Sequence, residues 1–308
     1  MSILTIIVLM ASTVFVRSQS PSPEAQYRFL FDYDQALPLN VDLKLDIKIT
    51  GGQYYKLTYQ SLHGELIPAI LLIPKLEAGE KAPCVILMHG LGSRKEDLIP
   101  LWFPLLAQGY AVFSIDAPYH GEREPKDKNF RQVFRYPVRT REMFIHTVID
   151  LRRGVDYLIQ RPDIDPTRIG YVGFSMGAIT GAVFAGIDTR IKAPVLVVGG
   201  GNWASIAKGS EVNHEPPALK NDPTHLAELA STLAPVDPIL WIGQISPRSV
   251  LMINGNSDRV IPKESAKALH TAAKEPKEVL WYKGGHLPLS EKGVWVIVKI
   301  CFWLSQNL

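Results

Sequence analysis

The sequence predicts an α/β domain: a mostly parallel central sheet, helices on both faces, and a short helical cap inserted late in the chain. Two observations carry that fold class. From residue 84 onward, continuous apolar runs alternate with stretches of helical period, as expected for strands buried on both faces. Within that series, residues 169–181 (IGYVGFSMGAITG) read as a strand, a sharp turn and a helix in immediate succession. The chain has 308 residues, 46% of them hydrophobic, which is enough for one large domain with a substantial core.

The N-terminus comes first. Residues 3–16 (ILTIIVLMASTVFV) are uncharged and apolar but short for a membrane span. A polar, proline-rich stretch, RSQSPSPEAQ, follows. Residues 1–18 therefore read as a secretory signal cleaved after Ser18, with Val16 and Ser18 as the small residues before the cut. The expected location is secreted or periplasmic, without stable membrane association after processing. An uncleaved N-terminal anchor is the alternative, because the segment has no basic residue ahead of it. Residues 19–38 are expected to be a linker, and residues 39–308 the folded domain.

Three segments then alternate or run apolar over strand lengths: VDLKLDIKIT, YYKLTYQSL and LIPAILLIP. Gly51-Gly52 and His63-Gly64 turn the chain between them, predicting an antiparallel meander. CVILMHG is a continuous apolar strand; EDLIPLWFPLLAQ is an amphipathic helix; YAVFSID is the next strand. Around 138–160 the apolar residues Phe144, Val148, Leu151, Val155 and Leu158 share one helical face, and the helix must stop before Pro162. The run of cations between Arg123 and Arg141 ahead of it reads as a solvated connector relieved by acidic neighbours. APVLVVGGG, SVLMINGN, the helix ESAKALHTAAKE, EVLWYK and the C-terminal GVWVIVKICFWL complete the order. Between APVLVVGG and SVLMINGN lies a connection of roughly 50 residues, long enough to carry helices of its own, so a cap is expected around 201–240. Inside it Asp237-Pro238 has the form of an N-cap followed by proline, which makes Asp237 structural. Cys84 and Cys301 each lie in apolar runs and are expected to be buried free thiols.

The turn at 173–177 fits Gly-x-Ser-x-Gly, with Gly173, Ser175 and Gly177 in place. Between a strand and a helix, such a serine stands up at the edge of a sheet. To act as a nucleophile Ser175 needs an imidazole to take its proton and a carboxylate to orient that imidazole. In sheets of this class these groups belong on loops at the carboxyl ends of later strands. SVLMINGN is followed by SDRVIP, which puts Asp258 just past a strand; EVLWYK is followed by GGHLP, which puts His286 just past the next. Of the eight histidines only His286 follows a predicted strand after the serine and sits in a glycine-rich turn. The predicted catalytic residues are Ser175, His286 and Asp258. Backbone N–H groups of Met176, at the head of the helix, and of Leu91, in the loop His89-Gly90-Leu91-Gly92, are expected to hold the oxyanion. His89 itself is expected to brace its loop.

From about residue 66 to the C-terminus the chain resembles the α/β-hydrolase superfamily, particularly its dienelactone-hydrolase-like and acetyl-xylan-esterase-like branches. ILMHGLGS, FSIDAPYHGER, GYVGFSMGA, ISPRSVLMINGNSDRVIP and GGHLP match its landmarks in order. Dienelactone hydrolases carry a cysteine nucleophile, so Ser175 implies a serine esterase. The resemblance implies a small-molecule carboxylic ester as substrate and an acyl-enzyme on Ser175, with no cofactor; no CxxC, HExxH or similarly spaced ligand set occurs, so no metal is expected. Peptidase or lactonase activity on the same fold remains as an alternative, as does a non-catalytic binding protein on this scaffold. Because the prolines of the insertion allow only short helices, and Phe174 and Met176 flank the serine, the acyl group is expected to be acetyl to butyryl. Trp203 and Tyr119 are the expected substrate contacts.

A net charge of +3 and the lack of a long basic block argue against a nucleic-acid partner. The stretch Gly199-Gly200-Gly201-Asn202-Trp203-Ala204 also fits the dinucleotide pattern Gly-x-Gly-x-x-Ala, with Asp222 downstream. A bulky tryptophan in the phosphate turn, and no strand end near Asp222, weigh against that reading.

Overall fold

The computed structural model describes residues 22, 24–126, 133, 135–211 and 215–308, with the side chain of His63 left aside. The expected signal segment and its cleavage site lie outside the described residues.

Nine strands form one sheet: β1 (Asp42–Ile49), β2 (Gly52–Gln60), β3 (Leu66–Pro74), β4 (Ala82–Met88), β5 (Ala111–Ile115), β6 (Ile164–Phe174), β7 (Ile191–Val197), β8 (Val250–Gly255) and β9 (Lys277–Tyr282). Their spatial order is β1-β2-β3-β5-β4-β6-β7-β8-β9. The first three form the antiparallel meander, and β3 runs antiparallel to β5. From β5 to β9 every pairing is parallel. The helices are α1 (Ile99–Ala107), α2 (Pro137–Leu158), α3 (Met176–Ile187), α4 (Trp203–Gly209), α5 (Pro217–Lys220), α6 (Pro223–Leu233), α7 (Pro238–Trp241), α8 (Lys263–Ala272) and α9 (Pro288–Asn307).

Side-chain alternation sorts these helices onto two faces. Ile86, Phe113 and Tyr171 point to one side, where Phe144 and Val148 of α2, Ala182 of α3 and Leu269 of α8 cover them. Val85, Leu87, Val172 and Val195 point to the other, under Leu101 and Leu105 of α1 and Val296, Ile300 and Leu304 of α9. The five residues expected on one face of α2 are all buried. The insertion after β7 supplies α4 to α7. Cys84 and Cys301 are buried and free.

Two expectations need correction. Residues 24–38 are bound to the body of the domain. Phe31 is buried edge-on against Trp241 at 5.3 Å, the Tyr33 hydroxyl donates to Asp156 (2.6 Å), and Arg28 donates to the Ile187 carbonyl (3.0 Å). The aromatic residues in this stretch supply apolar area that repays its ordering. The cationic run, for its part, does not begin in solvent. The Arg123 side chain is only 5% exposed, with one guanidinium nitrogen 2.7 Å from the buried carboxylate of Asp150 and the other 2.8 Å from Glu65. Burial alone would push the Asp150 carboxyl up, and it does so despite Arg123 and a hydrogen bond from Ser61.

Candidate active site

Strand β6 ends at Phe174 and α3 starts at Met176, so Ser175 must turn the chain alone. It does so at φ +54°, ψ −114°, a conformation that residues with a Cβ rarely adopt. Backbone bonds hold it there: Ser175 N–H donates to Val197 O (2.9 Å), and Ile179 N–H donates to Ser175 O (3.0 Å). The two motif glycines are explained by packing. A Cβ on Gly173 would collide with the carbonyl of Gly177, and a Cβ on Gly177 would collide with the carbonyl of Met88 at the end of β4. The helix can therefore begin directly against the strand ends only without side chains at these positions. The buried Tyr171 phenol donates to the Gly177 carbonyl (2.6 Å) and ties strand to helix.

The three residues picked out by strand-end position converge. The Ser175 hydroxyl lies 2.8 Å from His286 Nε2, and His286 Nδ1 lies 2.8 Å from Asp258 Oδ2. Asp258 is 2% exposed, and its other oxygen accepts the N–H groups of Val260 (2.8 Å) and Ile261 (2.9 Å). Those bonds aim Oδ2 at the imidazole. A carboxylate can only accept, so Nδ1 carries the hydrogen and Nε2 is left as the acceptor facing Ser175.

The loop presenting His286 follows β9 and is fixed at several points. Ser257 N–H donates to Gly284 O (2.9 Å), the Tyr282 hydroxyl donates to Gly285 O, and Glu291 accepts from Gly285 N–H (2.6 Å). Sequence reasoning missed Glu291. Its position in the first turn of the helix that follows the histidine was the available signal.

The loop after β4 approaches the serine from the other side. A Cβ on Gly90 would stand 3.4 Å from the Cβ of Ser175, so this loop passes close to the serine. The N–H of Met176 is the first of α3 and has no carbonyl partner inside its own helix. His89 is fully buried. Its Nδ1 lies 2.8 Å from Gly90 O, and its Nε2 accepts the N–H of Ala117 (3.2 Å), so the ring bridges the loops after β4 and β5. Burial, reinforced by the neighbouring His120, pushes the His89 imidazole down to about 4 and keeps it neutral.

The family model for acetyl xylan esterase matches residues 30–200, more than half of the chain. The chain belongs to the acetyl xylan esterase family. That family is one of carboxylic ester hydrolases with an α/β-hydrolase-like fold. Acetyl xylan esterase 1 from Thermoanaerobacterium sp. JW/SL YS485 superimposes with a TM-score of 0.74 at 19% identity, over 92% of this chain and 94% of that one. An acetyl xylan esterase from Paenibacillus sp. R4 gives 0.70 at 21% identity, over 90% and 92%. Among curated relatives, the esterase YjfP of Escherichia coli is 26% identical over 68% of this chain and 82% of its own length. The Bacillus subtilis protein YtaP is 30% identical over 55% of this chain, and that match spans 60% of YtaP's length.

Within this esterase-family chain the remaining expected residues are placed as follows. Trp203, expected at the substrate, packs into the core. It is 7% exposed, with its ring edge-on to Phe144 at 5.3 Å and its indole N–H donating to Val236 O (3.3 Å). Tyr119 is half-buried at φ +68° in the loop after β5. Next to it, His120 packs against the His89 ring at 5.1 Å. Asp237 caps α7 by accepting from Ile239 N–H (3.1 Å), and it also accepts from Asn202 (3.0 Å) and Trp203 (3.2 Å). A single carboxylate thus ties the start of the insertion to its end. It also occupies the helix N-terminus that the Gly199–Ala204 pattern would offer a phosphate. The glycines of that pattern are pressed against Ala178, Ser265 and Ile239, and Asp222 caps α6 through Thr224 N–H (2.9 Å). The dinucleotide pattern is structural.

Proposed function

We propose that this chain hydrolyses short-chain carboxylic esters through an acyl-enzyme on Ser175. The observation that carries the reading is the unbroken hydrogen-bonded series Ser175–His286–Asp258, drawn from three separate strand ends. In acylation His286 Nε2 takes the hydroxyl proton as Ser175 Oγ bonds to the ester carbonyl carbon. The carbonyl oxygen becomes an oxyanion, received by the N–H groups of Leu91 and Met176. Collapse breaks the bond to the alkoxy oxygen, which leaves with the proton from His286. In deacylation water gives its proton to His286, attacks the acyl carbon, and releases the carboxylic acid while Ser175 recovers its hydrogen. Asp258 keeps Nδ1 protonated throughout and stabilises the transient imidazolium.

The acyl group is acetyl to butyryl in this reading. Phe174 and Met176, beside the serine, are both buried, and among the described residues the insertion adds short helices, the longest being α6 with 11 residues. In a site that cannot lengthen, extra methylenes forgo the roughly 0.8 kcal/mol that each would gain on burial. A p-nitrophenyl ester series tests the acyl preference; octanoate turned over more efficiently than acetate would sink it. Ser175→Ala is expected to lower kcat by about 10⁴-fold or more and to end fluorophosphonate labelling. Labelling that persisted would place the reactive serine elsewhere. Export fits the same reading: residues 1–18 act as the signal, and the mature enzyme meets its ester outside the cytoplasm.

A further inference from the structure

The loop carrying Leu91 runs on to Lys95, and Lys95 is almost completely buried, at 2% exposure. Its ammonium sits 2.7 Å from Asp116, which is fully buried at the end of β5, and 2.6 Å from Glu122. Asp116 also accepts the backbone N–H groups of Lys95 (2.9 Å) and Glu122 (3.0 Å). Gly121, between the two loops, has no room for a side chain because a Cβ would run into the Asp116 carboxylate. Burial alone would push the Lys95 ammonium down; hydrogen bonds to Asp116 and Glu122 overcome it and hold the group above the ordinary lysine value. A buried charge pair with all its partners supplied is poor as a source of stability, since apolar side chains of similar volume would serve at least as well. What it provides is a fixed distance between two loops.

We infer that Lys95 and Asp116 are positioning residues for catalysis: their ion pair sets the loop after β4 so that the Leu91 N–H meets the developing oxyanion. The proposal rests on the serine-esterase reading above. Neither residue touches substrate. Misplacing an oxyanion donor costs little in ground-state binding and much in the transition state, where the charge appears. The neighbouring Arg123–Asp150 pair is the comparison: Asp150 lies on α2 and reaches these loops through Arg123, which also donates to the Asp116 main-chain carbonyl (3.1 Å), and Asp150→Asn removes the carboxylate charge while leaving that bond in place.

The test measures Lys95→Met, Asp116→Asn and Asp150→Asn against p-nitrophenyl acetate, with an aryl trifluoromethyl ketone as transition-state analogue. For the first two, kcat is expected to fall by about 10- to 100-fold with KM within about 3-fold. Affinity for the ketone should fall by the same factor as kcat/KM, a correspondence that a general loss of packing would not produce. Asp150→Asn should lower the melting temperature while leaving kcat intact. If the first two variants are insoluble, Glu122→Gln serves in their place. That side chain is 65% exposed, and kcat is expected to drop a few-fold at unchanged melting temperature. Folded Lys95 and Asp116 variants with native kcat, or an equal kcat loss in Asp150→Asn, overturn the proposal. Ester hydrolysis that survives in Ser175→Ala overturns the reading beneath it instead.

Discussion

Gly177 shows how little freedom the turn at Ser175 has. Its missing Cβ is the space taken by the Met88 carbonyl, backbone that cannot swing aside. Gly177→Ala is therefore expected to shift the head of α3, cost at least about 1–3 kcal/mol as overpacking does, and lower kcat far more than that loss of stability would. A thermal melt paired with kcat on the same preparation checks it; native kcat would show that α3 can move without carrying Ser175. Histidines set the acid limit of the fold in a different way. Burial holds His89 and His270 neutral down to about 4. The unfolded chain binds those protons near 6.5, the folded chain only near 4, so the unfolded state holds more protons in between. Stability is then complete above about pH 6.5 and is lost as the pH falls toward 4, by a few kcal/mol in total. Melting temperatures measured across that window should slope upward with pH, and His270→Gln should flatten part of the slope.

Among the elements, the insertion hangs on one side chain. Asp237 accepts three backbone N–H groups from opposite ends of α4 to α7. Asp237→Ala removes an N-cap, worth about 0.5–2 kcal/mol, and also leaves the buried N–H groups of Asn202 and Trp203 without that acceptor. It should loosen the insertion while leaving His286 oriented, because the ring is bonded to Asp258 and Ser175 and not to Asp237. Faster proteolysis within 203–241 at a nearly unchanged rate of Ser175 labelling is the expected pattern; a collapse of labelling would give Asp237 a part in the chemistry.

At the scale of the molecule, most of the sheet and the three converging residues were legible because each depends on local signals. A strand buried on both faces is a short apolar run, and a loop at its carboxyl end holds whatever polar residue comes next. Ser175, Asp258 and His286 each satisfied that rule. Charges were misread because their burial depends on partners far away in sequence. Nothing near Arg123 announces Asp150 in the middle of α2, and nothing near Lys95 announces Asp116 across β5. The same holds for Phe31, whose partner Trp241 lies 210 residues further along the chain. Trp203 was placed at the substrate by its nearness to a strand end; size and apolarity drew it inward instead. Removing the first 18 residues should leave a soluble, active protein beginning at Gln19, and insoluble material under several conditions would make that segment part of the fold.

Strand β9, finally, lies at the rim of the sheet and among the described residues pairs with β8 alone. In the proposed mechanism the base, His286, follows it directly, so the nucleophile and its proton acceptor would belong to regions that need not melt together. Rim strands open with less free energy than the whole domain requires. Mild denaturant should therefore silence the enzyme while most of its circular dichroism survives, because His286 departs with the rim and Ser175 stays in the interior. During synthesis the order is reversed: the serine leaves the ribosome well before the histidine, and the newborn chain carries an inert hydroxyl until its last strand zips on.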